Sequence, residues 1–77
     1  MEIIHKDYRI DAFETEPGRW RARIQRTDRH KIKDATGGEH GQITTGGQEA
    51  FSAEEAIGVA RGLIDRGRLI KGSMQDQ

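Results

Sequence analysis

Apolar and polar residues alternate through DYRIDAF, residues 7–13: Tyr8, Ile10 and Ala12 fall on one side, Asp7, Arg9, Asp11 and Phe13 on the other. A period of two belongs to a half-buried strand. RWRARIQR, residues 19–26, repeats the pattern, with Trp20, Ala22 and Ile24 against Arg19, Arg21, Arg23 and Gln25. Between the runs lies ETEPG, a five-residue stretch whose Pro17-Gly18 pair signals a turn. Together they predict a β-hairpin. Matching apolar to apolar sets Ala12 opposite Trp20, Ile10 opposite Ala22 and Tyr8 opposite Ile24. On the other face this register puts Asp11 opposite Arg21 and Phe13 opposite Arg19. It also puts Arg9 opposite Arg23, an unfavourable pair unless Asp7 or Asp11 compensates.

Residues 27–42, TDRHKIKDATGGEHGQ, hold few apolar side chains and three glycines, and predict a long, partly mobile loop. Within it KIKD either extends the second strand or forms a short one of its own. QITT, residues 42–45, is β-branched and predicts a third strand. GGQE follows as a loop.

FSAEEAIGVARGLIDRG carries the signs of a helix. Ser52 is the N-cap and Glu55, three residues on, completes a capping box. Phe51 stands where a hydrophobic staple would close on Ala56. Ala56, Ile57, Ala60, Leu63 and Ile64 share one face at helical spacing. Gly67 ends the helix, with Arg66 in its last turn. Gly58 and Gly62 share a side and are expected to let the helix approach the sheet closely. RLIK docks beyond the helix, and residues 71–77 are expected to be a flexible tail. The expected fold is α+β: a three-stranded antiparallel sheet with one C-terminal helix packed on one face, in β-β-β-α order, as a single domain over residues 1–70.

Length makes this core a small one. A domain of 77 residues buries a smaller share of its surface than a larger one. With no cysteine, no disulfide compensates. That fits a reducing compartment. MEIIHKDYRID lacks the basic and apolar regions of a secretory signal, and no apolar run is long enough to span a membrane. The expected location is cytoplasmic.

Charge changes the picture more. The chain is neutral overall, but residues 18–33 carry Arg19, Arg21, Arg23, Arg26, Arg29, Lys31 and Lys33 against Asp28 alone. Acidic stretches flank this block on both sides. Overall neutrality argues against strong non-specific nucleic-acid binding, and a local basic stripe remains.

Catalytic chemistry finds little support. Ser52 is used as a cap, and His5, His30 and His40 have no metal-binding spacing on a helix. His30, Asp34, Glu39 and His40 share one loop, where solvated polar side chains are the ordinary reading. GLIDRGRL has the glycine spacing of a phosphate loop, but Arg68 replaces its lysine and it ends a helix instead of starting one. No catalytic residue, metal or cofactor is expected. The basic strand is the remaining candidate. A two-stranded ribbon fits the DNA major groove. A solvated, partly paired arginine face is the plainer reading, since charged residues also protect sheets from edge pairing.

GRWRARI, residues 18–24, and FSAEEA, residues 51–56, resemble the plant ethylene-response-factor type of DNA-binding domain. That resemblance implies DNA contact through Arg19, Arg21 and Arg23; the family's first strand is also basic, whereas this chain has Asp11 and Phe13. FSAEEAIGVARGLI is similar to the helix start of HicB-type antitoxin domains, without their preceding proline-rich acidic segment. The double-stranded-RNA-binding fold is similar in element order only. Over residues 8–67 the chain also resembles small bacterial proteins that pair a Gly-x-Trp-x-Ala-x-Ile hairpin with a Glu-Glu-Ala-Ile helix, to which no activity attaches. A fold signal is not a function signal. The expected function is a small non-enzymatic binding or accessory module acting through its exposed sheet face or edge, with an unknown protein partner. The alternative is nucleic-acid binding through residues 18–26 and the basic residues on to Lys33. Unprotected sheet edges allow a monomer or a weak homodimer.

Overall fold

In the computed structural model, which describes residues 1–46 and 50–74, the hairpin is the centre of a larger sheet. Strand β1 (Glu2–His5) pairs with β2 (Tyr8–Glu16), β2 with β3 (Arg19–Arg26), and β3 with β6 (Ile43–Thr44), all antiparallel. A second antiparallel sheet has β4 (His30–Lys33) between β5 (Glu39–His40) and β7 (Ile70–Met74). Helix α1 (Ala53–Asp65) connects β6 to β7. The fold is thus α+β with antiparallel sheets and one helix. The expected three-stranded sheet is corrected to seven strands in two sheets among the described residues.

The added strands are the short ones, β1, β4, β5 and β7. In β1, Ile3 pairs with Ile10 and packs on the core. In β4, Ile32 is fully buried. Within the expected loop, residues 30–33 thus form a short strand of their own, one of the two alternatives for KIKD. Ile70–Met74, expected partly as tail, forms β7 on β4, with Lys33 opposite Ile70. Gln75–Gln77 of that tail, and all but Gly46 of the expected GGQE loop, lie outside the described residues.

Hairpin faces follow the alternation. Tyr8, Ile10, Ala12, Ala22 and Ile24 are buried, with Trp20 half-buried beside them. The register, however, is offset by two residues. Ala12 pairs with Ala22, Ile10 with Ile24 and Tyr8 with Arg26. The loop is shorter than expected: β2 runs on to Glu16, a bulge falls between Glu14 and Glu16, and only Pro17 and Gly18 turn the chain. Gly18 takes φ +78°, a conformation glycine adopts without a Cβ clash. Asp11 therefore meets Arg23 and Phe13 meets Arg21, and the unfavourable Arg9–Arg23 pair gives way to Arg9–Gln25.

The helix begins at the Ser52 cap, whose hydroxyl accepts from the Glu55 N–H at 3.1 Å. The Glu55 carboxylate reaches back to the Phe51 N–H at 3.4 Å instead of the Ser52 N–H of a full capping box. Phe51 remains 69% exposed, so it contributes little as a staple. At the other end Arg68 N–H bonds the Leu63 carbonyl and Gly67 N–H the Ile64 carbonyl. This is the Schellman pattern, with Gly67 at φ +70°. Ala56, Ile57, Ala60 and Ile64 bury the inner face against β2 and β3, and Leu69 and Ile32 bring the second sheet into the same core.

The helical glycines do not serve close approach. Gly58 faces solvent, and a Cβ built on it meets nothing within 4 Å. Gly58→Ala is therefore expected to stabilise the protein by up to about 1 kcal/mol, through lower backbone entropy in the unfolded chain. A thermal melt would show this as a rise of up to roughly 4–8 °C; an unchanged or lower midpoint would contradict the solvent-facing placement. No helix among the described residues is long and apolar enough to cross a membrane.

Candidate functional site

The helix covers one face of the first sheet; the other face carries the odd-numbered residues of β2 and β3. Side chains from neighbouring strands meet there in rows. Ile4, Arg9 and Gln25 form one row, and Glu2, Asp11, Arg23 and Thr44 the next. Phe13 and Arg21 form a third. The Arg23 guanidinium stacks 4.8 Å from the centre of the Phe13 ring and lies 3.9 Å from Asp11 Oδ2. A cation over a ring face is attracted by the ring quadrupole, so Arg23 is held in place. Arg9 Nη2 donates to Gln25 Oε1 at 3.2 Å, and Gln25 Nε2 donates to Gln42 Oε1 at 3.2 Å. Among the described residues the Arg21 side chain makes no hydrogen bond, ion pair or ring contact.

The seven basic residues singled out from the sequence do not form one stripe. Arg21 and Arg23 lie together on the open face. Arg19 is at the hairpin end, its Nε 4.0 Å from Glu16 Oε2. Arg26 has even parity and turns to the covered side of the sheet, with only 7% of its side chain exposed. Its Nε donates to Asp28 Oδ1 at 2.8 Å and its Nη2 to Asp28 Oδ2, and the guanidinium stacks 5.1 Å from the Tyr8 ring. Arg26 also donates to the Tyr8 hydroxyl, which in turn donates to the Leu69 carbonyl, each at 3.3 Å. Its role is therefore largely structural. Arg29 occupies the β3–β4 turn at φ +67° and is exposed. Lys31 and Lys33 flank buried Ile32 in the second sheet, close enough to Glu39 to help lower its pKa, after the dominant hydrogen bonds from Ser73. Alternation alone signals the fate of Arg26, since it shares parity with Ala22 and Ile24. It also places Arg9 on the open face, a residue the charge count passed over because its neighbours are acidic.

The four polar residues of the expected loop separate. His40 Nε2 lies 2.7 Å from Asp34 Oδ2, while Glu39 accepts from the Ser73 N–H and hydroxyl. His30 sits by Asp28, on the far side of the turn. Among the described residues no group of three His, Cys, Asp or Glu side chains is placed to hold a metal ion.

Several carboxylates are held ionised. The Thr36 hydroxyl and then His40 hold Asp34 below the usual carboxylate range, and Arg26 does so for Asp28. Hydrogen bonds from Lys6 and then His5, both at 2.8 Å, lower Asp65 to about 2. A folded-state pKa below the unfolded value stabilises above the unfolded pKa, about 4, and the gain is lost as protons bind. The unfolding midpoint is therefore expected to fall as pH drops from about 4 toward 2, and Asp65→Asn to flatten part of that fall. Urea melts across this range check it; a midpoint constant from pH 5 to 2 would refute it.

Compared with family models, with curated proteins and with solved structures, the chain finds no match. The functional reading therefore rests on the geometry of the open face.

Proposed function

We propose that the chain is a non-enzymatic binding module that holds an acidic segment of a protein partner on the open face of its four-stranded sheet. One observation carries this reading: Arg21 presents a guanidinium without a partner among the described residues, beside Arg23, which is fixed over Phe13. A pre-positioned guanidinium loses less freedom when it meets a carboxylate, and its planar fork matches that group. Phe13 and Thr44 supply apolar and hydroxyl surface around the pair. Glu2 and Asp11 share the face, and they repel a phosphate backbone more than a peptide that places its own charges selectively. The dispersal of Arg26, Lys31 and Lys33 also weakens a continuous nucleic-acid track.

Amide NMR titrations test the proposal. A short Asp/Glu-rich peptide is expected to shift residues 11–13, 21–23 and 44, and Arg21→Gln together with Arg23→Gln to remove the response. A mixed-sequence duplex and a single-stranded oligonucleotide, each at low and physiological salt, form the opposing arm. Larger, steeply salt-dependent shifts with either nucleic acid would replace the proposal with the nucleic-acid reading. No shift with any probe at low salt would leave the arginines as a solvated strand face.

A further inference from the structure

Where β3 leaves the first sheet and turns into β4, the surface closes into a cleft of about 340 Å³. Ile4, Arg9, Gln25, Arg26, Arg29 and His30 form most of its wall, and no carboxylate lines it among the described residues. It lies beyond the Arg21–Arg23 end of the open face, so it stands or falls separately from the function proposed above.

The three arginines are presented in different ways. Arg26 is locked by its two bonds to Asp28, which offsets its charge, and Asp7 lies 3.9 Å away as well. Arg9 is aimed by the Gln25 amide oxygen. Arg29 has no hydrogen bond or ion pair among the described residues, and its backbone takes the left-handed conformation at φ +67°, where glycine or asparagine is the usual occupant. The charges of Arg9 and Arg29 are thus not offset within the wall. Both side chains are exposed, so a neutral ligand would leave their charges to water alone. An anion would satisfy both, and guanidinium forks bond phosphate oxygens in pairs. The volume falls at the lower end of small-molecule pockets, larger than a bare oxyanion needs. Ile4, 62% exposed, offers an apolar surface beside the charged end.

We propose that this cleft binds a phosphate monoester carried on a small organic body of about mononucleotide size, with Arg9 and Arg29 on the phosphate and Ile4 against the body. The phosphate belongs either to a free small molecule or to the end of a nucleic-acid strand.

The test follows backbone amides and arginine Nε–H signals while the intact protein is titrated with adenosine monophosphate, inorganic phosphate, adenosine and a 5′-phosphorylated oligonucleotide. Adenosine monophosphate is expected to give saturable shifts at residues 4, 9 and 25–30, with adenosine giving none. Arg9→Gln and Arg29→Gly are each expected to weaken binding about tenfold or more. Glycine suits the turn at position 29, so that variant keeps the fold, and unchanged signals elsewhere verify it. Binding of the oligonucleotide about tenfold or more tighter than the mononucleotide assigns the phosphate to a strand end, and comparable or weaker binding to a free small molecule. Absence of saturable shifts up to about 10 mM mononucleotide overturns the proposal. Equal shifts with adenosine, or affinity unchanged in both variants, overturn it too. If the acidic peptide fails to shift residues 21–23 while the mononucleotide shifts the cleft, only the open-face reading falls.

Discussion

Ile32→Ala is expected to cost about 2–5 kcal/mol, comparable with the whole stability of a domain this small. Ile32 is the one fully buried residue of β4, and it sits between Lys31 and Lys33. Its side chain ties the second sheet to the core formed by Ile10, Ile24 and the helix. Removing it leaves a cavity that two paired strands, β5 and β7, cannot readily collapse to fill. Much of the Ile32→Ala population is expected to be unfolded before denaturant is added. Ile70→Ala provides the comparison, because Ile70 is 51% exposed on the neighbouring strand and its loss should cost under about 1 kcal/mol. Urea melts of both variants decide the matter. Equal midpoints would mean that residues 30–33 contribute no more than a surface segment.

Thr45→Val is expected to cost about 1–3 kcal/mol although it makes the core more apolar. Thr45 is buried, and its Oγ1 accepts from the Ala22 N–H at 3.0 Å while its own N–H donates to the Ala22 carbonyl at 2.8 Å. A side-chain oxygen thus supplies a backbone partner at the place where the β3–β6 ladder ends. Valine has nearly the same shape and transfers from water more favourably, so a loss on Thr45→Val reports the orphaned Ala22 N–H. Thr45→Ser keeps the hydroxyl and gives up one methyl, at roughly 0.8 kcal/mol. The serine variant should be the more stable of the two. The reverse order would assign the role of Thr45 to packing.

Alternation made the faces of the hairpin legible but not its offset. Sliding one strand by two residues preserves parity, so Ala12 opposite Trp20 and Ala12 opposite Ala22 both place apolar on apolar. The offset is set by how tightly Pro17 and Gly18 turn and by the bulge near Glu16. The helix was legible at both ends because caps are local chemistry: Ser52 bonds a residue three places on, and Gly67 supplies its own backbone conformation. Strands β4, β5 and β7 left little trace because each is short: β4 and β5 pair with each other across a glycine turn, and β7 finds β4 only from beyond the helix. IKGSM has no alternation, and what fixes it is pairing with β4 together with the Glu39 carboxylate on Ser73. The same division holds for the candidate surfaces. Parity brought Arg21 and Arg23 to one face, whereas the cleft joins Arg9 to Arg29 through a turn whose geometry is tertiary.

The spacing of partners along the chain also orders the fold in time. Strands β2 and β3 are joined by two residues, so their pairing can close on the microsecond scale of isolated hairpins. Lys33 meets Ile70 only after β5, β6 and the whole helix have been traversed. Contacts such as Tyr8 with Leu69 and His5 with Asp65 span nearly the entire chain. Each long closure is entropically costly until the helix has docked on the hairpin and shortened the effective span. The β4–β7 pairing is therefore expected to fasten last, as a clasp on the scaffold that the first sheet and the helix supply.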